Sequence, residues 1–296
     1  MIEIIAHKPV LIAGPTASGK SALALHIAQT QGGVIVNADA LQVFDGWRII
    51  TARPDDDDLA AAPHALYGHI RYDAPYSTGQ WLRDVTPYLA GRERPIIVGG
   101  TGLNFHALTH GLADIPATDP TLRTHGNTLS MHDLLADLDP ETRARIDTRN
   151  RMRVQRAWEV LQQTGRPLAD WQDATPPALL PPHDATRITL DVPTDWLNAR
   201  IAKRFQIMLD SGGLNEARAM LPHWNPAHQS ARAIGAPALI AHLRGDIALD
   251  AACDSAITAS RQYAKRQRTW FRSRHKDWTH FDISSTDLST GLTFLR

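Results

Sequence analysis

The chain has 296 residues, 43 % of them hydrophobic, and its 31 basic side chains balance 31 acidic ones. A chain of this length buries a sizeable apolar core as one large domain or as a core with a smaller partner, and its composition excludes disorder as the main state. Zero net charge removes any global pull toward nucleic acid, so a polyanion site has to be a local patch.

The single cysteine, Cys253, excludes an internal disulfide framework and a Cys-rich metal site, and it suits a reducing cytosol. The fourteen histidines show no H-E-x-x-H or other ligand spacing, so zinc is not expected. The N-terminal residues read as a strand rather than a signal peptide, and no apolar run approaches the ~18–20 residues of a spanning helix. The expectation is a cytoplasmic protein with no membrane association.

Val10–Ala13 is a short continuous apolar run ending at Gly14, which predicts a strand buried on both faces. Lys20–Gln31 has helical spacing and is closed by Gly32 and Gly33. A second buried strand is predicted at 34–36, a helix capped by Ser77 at 77–89, and a third strand at 95–98 ending on Gly99 and Gly100. The acidic run 55–58 reads as a solvated loop. After Gly111 the pattern becomes helical, with helices predicted at 131–138, 140–146 and 149–164, then a proline-rich loop at 175–182. A strand at 187–192 precedes helices at 195–209, 215–221, 238–243 and 250–272. Strands alternating with helices imply βαβ units and a parallel sheet. The expected organisation is an α/β core from residues 1–115 and 185–296, interrupted by a helical insertion at 116–184.

Gly14-Pro15-Thr16-Ala17-Ser18-Gly19-Lys20-Ser21 fits G-x-x-x-x-G-K-[ST] between a strand and a helix. In that setting backbone N–H groups and the helix N-terminus face a phosphate, Lys20 adds a point charge, and the Ser21 hydroxyl can ligate Mg²⁺. An ordinary nucleotide hydrolase also needs a carboxylate at the end of a later buried strand. Here that strand ends in Gly-Gly-Thr-Gly, and the available carboxylate is Asp39, three residues past the strand at 34–36. This combination points to a substrate whose phosphates are a handle or a leaving group.

Between Ser255 and Lys276 there are seven basic residues and no acidic one. Arg261, Lys265, Arg268 and Arg272 recur at helical spacing, opposite a stripe of Ala252, Ala256, Ala259, Tyr263 and Trp270. Such a face is often merely solvated, but the missing counter-charge favours contact with a polyanion. Trp270 and Phe271 are candidates for stacking on bases or for the core. A second cluster comprises Arg149, Arg151, Arg153 and Arg156. Arg200 and Arg204 form an i, i+4 pair whose default place is outward, beside an apolar stripe of Leu197, Ile201, Phe205 and Leu209.

These residues closely resemble the tRNA dimethylallyltransferases. The matching stretches are 14–21, 37–44, 51–54, 63–64, 75–77, 98–103, 151–159, 164–168, 200–209, 233–235 and 263–272. The Gly99–Leu103 motif and the Lys265-Arg266-Gln267-x-Thr269-Trp270-Phe271-Arg272 tail carry more specificity than the phosphate loop. The family's fold implies an α/β, P-loop NTPase-like parallel sheet core flanked by helices, with a mainly helical insertion domain that contacts tRNA.

The resemblance also implies site residues. Gly14, Thr16, Ala17, Ser18, Gly19, Lys20 and Ser21 would hold the diphosphate of dimethylallyl diphosphate, with Mg²⁺ at Ser21. Asp39 would be the general base and Arg204 would steady the departing diphosphate, with Thr101 also at the catalytic centre. The anticodon stem-loop of tRNA would be met by Asp39, Ala40, Leu41, Gln42, Thr101, Arg123, Met152, Arg153, Val154, Gln155, Arg156, Lys265, Arg266, Gln267, Arg268, Thr269, Trp270 and Arg272. A bacterial-type enzyme is expected, since nothing resembles a C-terminal zinc finger, and the chain is expected to be a monomer.

Departures from the family pattern are Ala236-Pro237-Ala238, Ala40-Leu41 where Ser-Met is common, and a short insertion. The competing readings are a small-molecule kinase, prenylation of free adenine nucleotides, and a non-catalytic RNA-binding module.

Overall fold

The apolar runs become strands of a parallel sheet, as their length and β-branched composition dictate. The computed structural model describes residues 2–5, 7–285 and 291–295. Residues 1–109 with 180–296 form one unit, and residues 110–179 form a second.

The first unit begins with β1 (Ile2–Ile5), β2 (Val10–Ala13), α1 (Lys20–Gln31) and β3 (Val34–Asn37). It continues through α2 (Asp56–Ala61), β4 (His64–Ala65), α3 (Thr78–Leu89), β5 (Pro95–Gly99) and α4 (Gly102–His110). The second unit holds α5 (Pro120–Thr128), α6 (Met131–Ala136), α7 (Pro140–Arg145), α8 (Arg151–Thr164) and α9 (Leu168–Asp173). The first unit resumes with β6 (Thr186–Leu190), α10 (Thr194–Asp210), α11 (Gly213–Met220), α12 (Ala236–Leu243), α13 (Leu249–Arg274), β7 (Thr279–Phe281) and β8 (Leu292–Leu295).

Six strands make one sheet in the order β4-β3-β5-β2-β6-β7, and every pairing is parallel. β1 and β8 pair separately, also in parallel. On one face Val10, Ile12, Ile35, Ile96 and Ile188 pack with Leu23 and Ile27 of α1. On the other, Leu11, Val36 and Ile97 pack with Trp81 and Val85 of α3 and Phe105 of α4. This burial on both faces explains why the strands read as unbroken apolar runs. Register places Ala13 opposite Gly99 and Asn37 opposite Val98, so the carboxyl ends of β2, β5 and β3 lie level, where a parallel sheet binds its ligands.

Two expectations are corrected. The run 55–58 is not a loop: Asp55 caps α2 by accepting the Asp58 N–H at 2.9 Å, and Asp56, Asp57 and Asp58 occupy the first turn. Carboxylates are favoured there by the helix dipole, so a run that reads as solvated is also a helix start. The expected insertion at 116–184 is displaced, for the second unit runs from 110 to 179. The chain is back in the first unit by Leu180, whose N–H donates to the Leu108 carbonyl at 3.1 Å, before the proline-rich stretch has ended.

The second unit has its own core of Leu134, Leu138, Val154, Ala157 and Trp158. The buried Glu159 carboxylate there accepts from Arg123 at 3.0 Å and from Gln155 and Thr118 at 3.1 Å each. Among the described residues no helix is long and apolar enough to cross a membrane.

Candidate active site

The loop between β2 and α1 has the backbone of an anion cradle. Ala17 at φ 63° and Gly19 at φ 96° place left-handed residues on either side of Ser18, which turns successive N–H groups toward one side. A Cβ at Gly14 would stand 2.8 Å from Ser18 Oγ, so only glycine lets the loop close this tightly. The Ser18 hydroxyl is buried with no protein partner.

Two cations converge on the cradle. Lys20 Nζ donates to the Pro15 carbonyl at 3.3 Å, and burial brings this lysine down to about 8, with Asp39 opposing the shift and Arg204 adding to it. From α10, Arg204 donates to Thr16 Oγ1 at 3.4 Å; burial lowers its pKa while Asp39 again acts the other way. The outward default for this arginine is therefore corrected: α10 packs beside the loop, and Arg204 turns inward. Its neighbour Arg200 stays exposed but donates to the Ala17 carbonyl at 3.0 Å, with its guanidinium 4.6 Å above the Trp196 ring.

Asp39 sits at the end of β3 in a braced turn. Its N–H donates to Asn37 Oδ1 at 2.8 Å, and its Oδ1 accepts the Leu41 N–H at 3.0 Å. The next N–H, of Ala40, donates to Thr101 Oγ1 at 2.9 Å. Thr101 belongs to the turn after β5, whose glycines are set by close approach. A Cβ at Gly99 would lie 2.3 Å from the Ala38 carbonyl carbon, one at Gly100 2.1 Å from Gln267 Nε2, and one at Gly102 2.2 Å from the Trp270 ring. Trp270 thus packs over Gly102 and against the core while remaining half-buried.

An open-mouthed cavity leads from this point. Thr16, Asp39 and Arg204 line its polar end, and Leu41, Ile50, Ile201, Phe205, Met208 and Ile234 make its apolar wall. A phosphate cradle that opens onto an aliphatic cavity suits an anion carrying a short hydrocarbon. Tyr263 borders the cavity as well, its hydroxyl pKa pushed up by burial.

Sequence reasoning did not find Glu216. Its carboxylate accepts the N–H groups of Arg48, Ile49 and Ile50 at 2.6, 2.9 and 2.9 Å, which fixes the segment that brings Ile50 and Thr51 to the cavity. No spacing rule links α11 to a turn 166 positions away. Glu216→Ala leaves three N–H groups without their charged acceptor, and we expect unfolding free energy to fall by about 2–4 kcal/mol in urea titrations. Asn104 was also missed. It is 2 % exposed, with Nδ2 directed at the Ala38 carbonyl and Oδ1 accepting from Thr78.

The remaining expected site residues divide by burial. Ala40 is exposed, Leu41 half-buried, and Gln42 spends its amide on the Thr51 and Ala52 carbonyls at 2.8 Å each. In the second unit Met152 and Arg153 are exposed and Arg123 pairs with Glu159, but Val154 is 0 % exposed. Val154 lies in the core because a helix cannot turn five consecutive residues to one side, so its side chain is excluded from surface contact. Gln155 is buried against Glu159, and Arg156 bonds Thr118. On α13, Lys265, Arg266, Thr269 and Arg272 are exposed, Arg268 bonds Thr194, and Gln267 is buried. Ser21 is exposed, and no group of three or more His, Cys, Asp or Glu suited to a metal occurs among the described residues.

Residues 42–274 match the IPP transferase family and residues 7–65 the isopentenyl transferase family. A tRNA dimethylallyltransferase of Ruegeria sp. (strain TM1040) is 62 % identical over 276 residues, covering 93 % of this chain and 96 % of that protein. One of Dinoroseobacter shibae is 64 % identical over 280 residues, covering 93 % and 94 %. The crystal structure of the full-length tRNA isopentenylpyrophosphate transferase of Bacillus halodurans superposes with a TM-score of 0.68 at 30 % identity, covering 96 % of this chain and 92 % of that one. With a cradle, a carboxylate and an apolar cavity at the same carboxyl end of the sheet, and with relatives of this closeness along nearly its whole length, the chain belongs to the IPP transferase family.

Proposed function

We propose that this chain transfers a dimethylallyl group from dimethylallyl diphosphate to N6 of the adenosine 3′ of the anticodon, position 37, in tRNAs that read codons beginning with U, releasing diphosphate. The observation that carries this reading is the junction of the phosphate cradle with the aliphatic cavity, with Asp39 and Arg204 at the join. The match to relatives that are named tRNA dimethylallyltransferases supports tRNA as the acceptor.

In this mechanism the adenine amine attacks C1 of the prenyl group, forming a C–N bond as the C1–O bond breaks. The bonding pair leaves with the diphosphate oxygen, and the proton from N6 passes to the Asp39 carboxylate. Lys20, Arg204 and the loop N–H groups stabilise the charge that grows on the leaving group. The apolar wall holds the prenyl chain and excludes water from the allylic carbon.

Mg²⁺ fits the loop, because it keeps several waters and needs few protein oxygens. The exposed Ser21 hydroxyl in the first turn of α1 offers such an oxygen. Bound there, Mg²⁺ supplies neutralisation of diphosphate charge. The acceptor would be met by Asp39, Ala40, Leu41, Gln42 and Thr101, by Arg123, Met152, Arg153 and Arg156, and by the exposed side chains among 265–272.

The test is a single-turnover reaction of purified protein with Mg²⁺, radiolabelled dimethylallyl diphosphate and unmodified tRNA, run with ATP as competitor. Label is expected in tRNA, at the adenosine 3′ of the anticodon, and is lost in Arg204→Ala. ATP consumption without labelled tRNA would assign the cradle to a kinase instead.

A further inference from the structure

Gln267 lies within the basic stretch that the family resemblance assigns to tRNA, yet its side chain faces the other way. It is 5 % exposed. Its Oε1 accepts the Thr16 N–H at 2.8 Å, and its Nε2 donates to the Gly100 carbonyl at 2.9 Å. A backbone N–H can only donate and a carbonyl can only accept, so one orientation of the carboxamide satisfies both partners.

The two loops so joined come from different crossovers, β2 to α1 and β5 to α4. The second loop carries Thr101, whose hydroxyl receives the Ala40 N–H beside Asp39. Thr16 is held at both ends, its N–H by Gln267 and its hydroxyl by Arg204. Gly100 leaves room for the clamp, since a Cβ there would stand 2.1 Å from Nε2.

We propose that Gln267 is a positioning residue that fixes the diphosphate loop against the turn supporting Asp39, and that its side chain does not touch tRNA. The inference rests on the prenyl-transfer reading for its substrates, but the clamp shapes the loop for any diphosphate. Inorganic diphosphate with Mg²⁺ is therefore a probe independent of that reading.

The decisive comparison sets the affinity of wild type, Gln267→Met and Gln267→Glu for inorganic diphosphate against their affinity for an anticodon stem-loop RNA, with thermal melting as a check on folding. Gln267→Met has similar volume and loses both hydrogen bonds. Its diphosphate Kd is expected to rise about 10- to 30-fold, the equivalent of two ordinary hydrogen bonds. Gln267→Glu retains the acceptor for Thr16 but sets a carboxylate oxygen against the Gly100 carbonyl, so its diphosphate binding weakens as well. Stem-loop affinity falls less than diphosphate affinity in both variants, because no direct RNA contact is removed and only the Thr101 turn is loosened. Weakened stem-loop binding with unchanged diphosphate affinity would overturn the proposal in favour of direct tRNA contact. A lowered melting temperature with both affinities unchanged would reduce Gln267 to a structural brace and overturn it equally. If wild type transfers no label to tRNA while the diphosphate result holds, the prenyl-transfer reading fails and the clamp stands.

Discussion

Asp39→Asn is expected to lower single-turnover transfer at saturating donor by about 100- to 10,000-fold, the range for removing a positioned general base, with stem-loop binding retained. Asparagine is the informative replacement because its Oδ1 still accepts the Leu41 N–H, now 3.0 Å from Asp39 Oδ1, so the turn after β3 survives. What disappears is the charge and the site for the N6 proton. The lone pair of an adenine amine is delocalised into the ring, so the nitrogen becomes a useful nucleophile only as its proton leaves. Asp39 also acts on both cations of the cradle, raising the pKa of Lys20 and of Arg204 against their burial. Removing the carboxylate therefore lowers Lys20 further and weakens donor binding at neutral pH, so the measurement has to be made at saturation to isolate the proton-transfer loss. A drop of less than about tenfold at saturating donor would remove Asp39 from the role of base.

The parts of this site that were legible in the sequence are those encoded locally. Gly14 to Ser21 announces an anion cradle because glycine spacing, a preceding apolar run and a following helix all lie within a few residues. β2, β3 and β5 are legible because strands buried on both faces cannot alternate polar with apolar residues. Asp39 stands out as a carboxylate delivered by a buried strand.

The direction in which a side chain turns was not legible. Spacing puts Arg200 and Arg204 on one helical face, but whether that face meets solvent or the Thr16 hydroxyl depends on α10 packing against a loop more than 180 positions away. Gln267 sits among cations, and its burial follows only from Gly100, 167 positions earlier, lacking a side chain. Glu216 and Asn104 are ordinary polar residues of helices, and their partners are backbone groups and, for Asn104, the Thr78 hydroxyl as well, none of which one sequence marks. The basic stripe of α13 is real in its spacing, yet Ser260 and Tyr263 border the cavity while Arg261, Lys265, Arg268 and Arg272 line a separate groove against α10. Helical periodicity separates two faces without saying which is catalytic.

Lys20→Met is expected to reduce kcat/KM for the donor by about 100- to 1,000-fold, the cost of losing one preorganised charge at a developing anion. The effect is large because the lysine is held out of water beside Arg204, where each charge on the diphosphate is poorly screened. The same burial gives the wild-type enzyme a pH signature. A lysine is cationic below its pKa, and desolvation holds this one at about 8 instead of the ordinary 10.5. Donor affinity should therefore be level at neutral pH and weaken as pH rises through about 8, approaching a tenfold loss per unit as the charge disappears. The donor contributes little to that slope, since a phosphate ester sheds its second proton near pH ~6. Lys20→Met should bind weakly at every pH and show no such slope, so Kd profiles of the two proteins from neutral pH upward separate the lysine from any other titrating group. A slope that survives in the variant would mean that a different group sets the charge of the cradle, and that Lys20 serves there only through its hydrogen bond to Pro15.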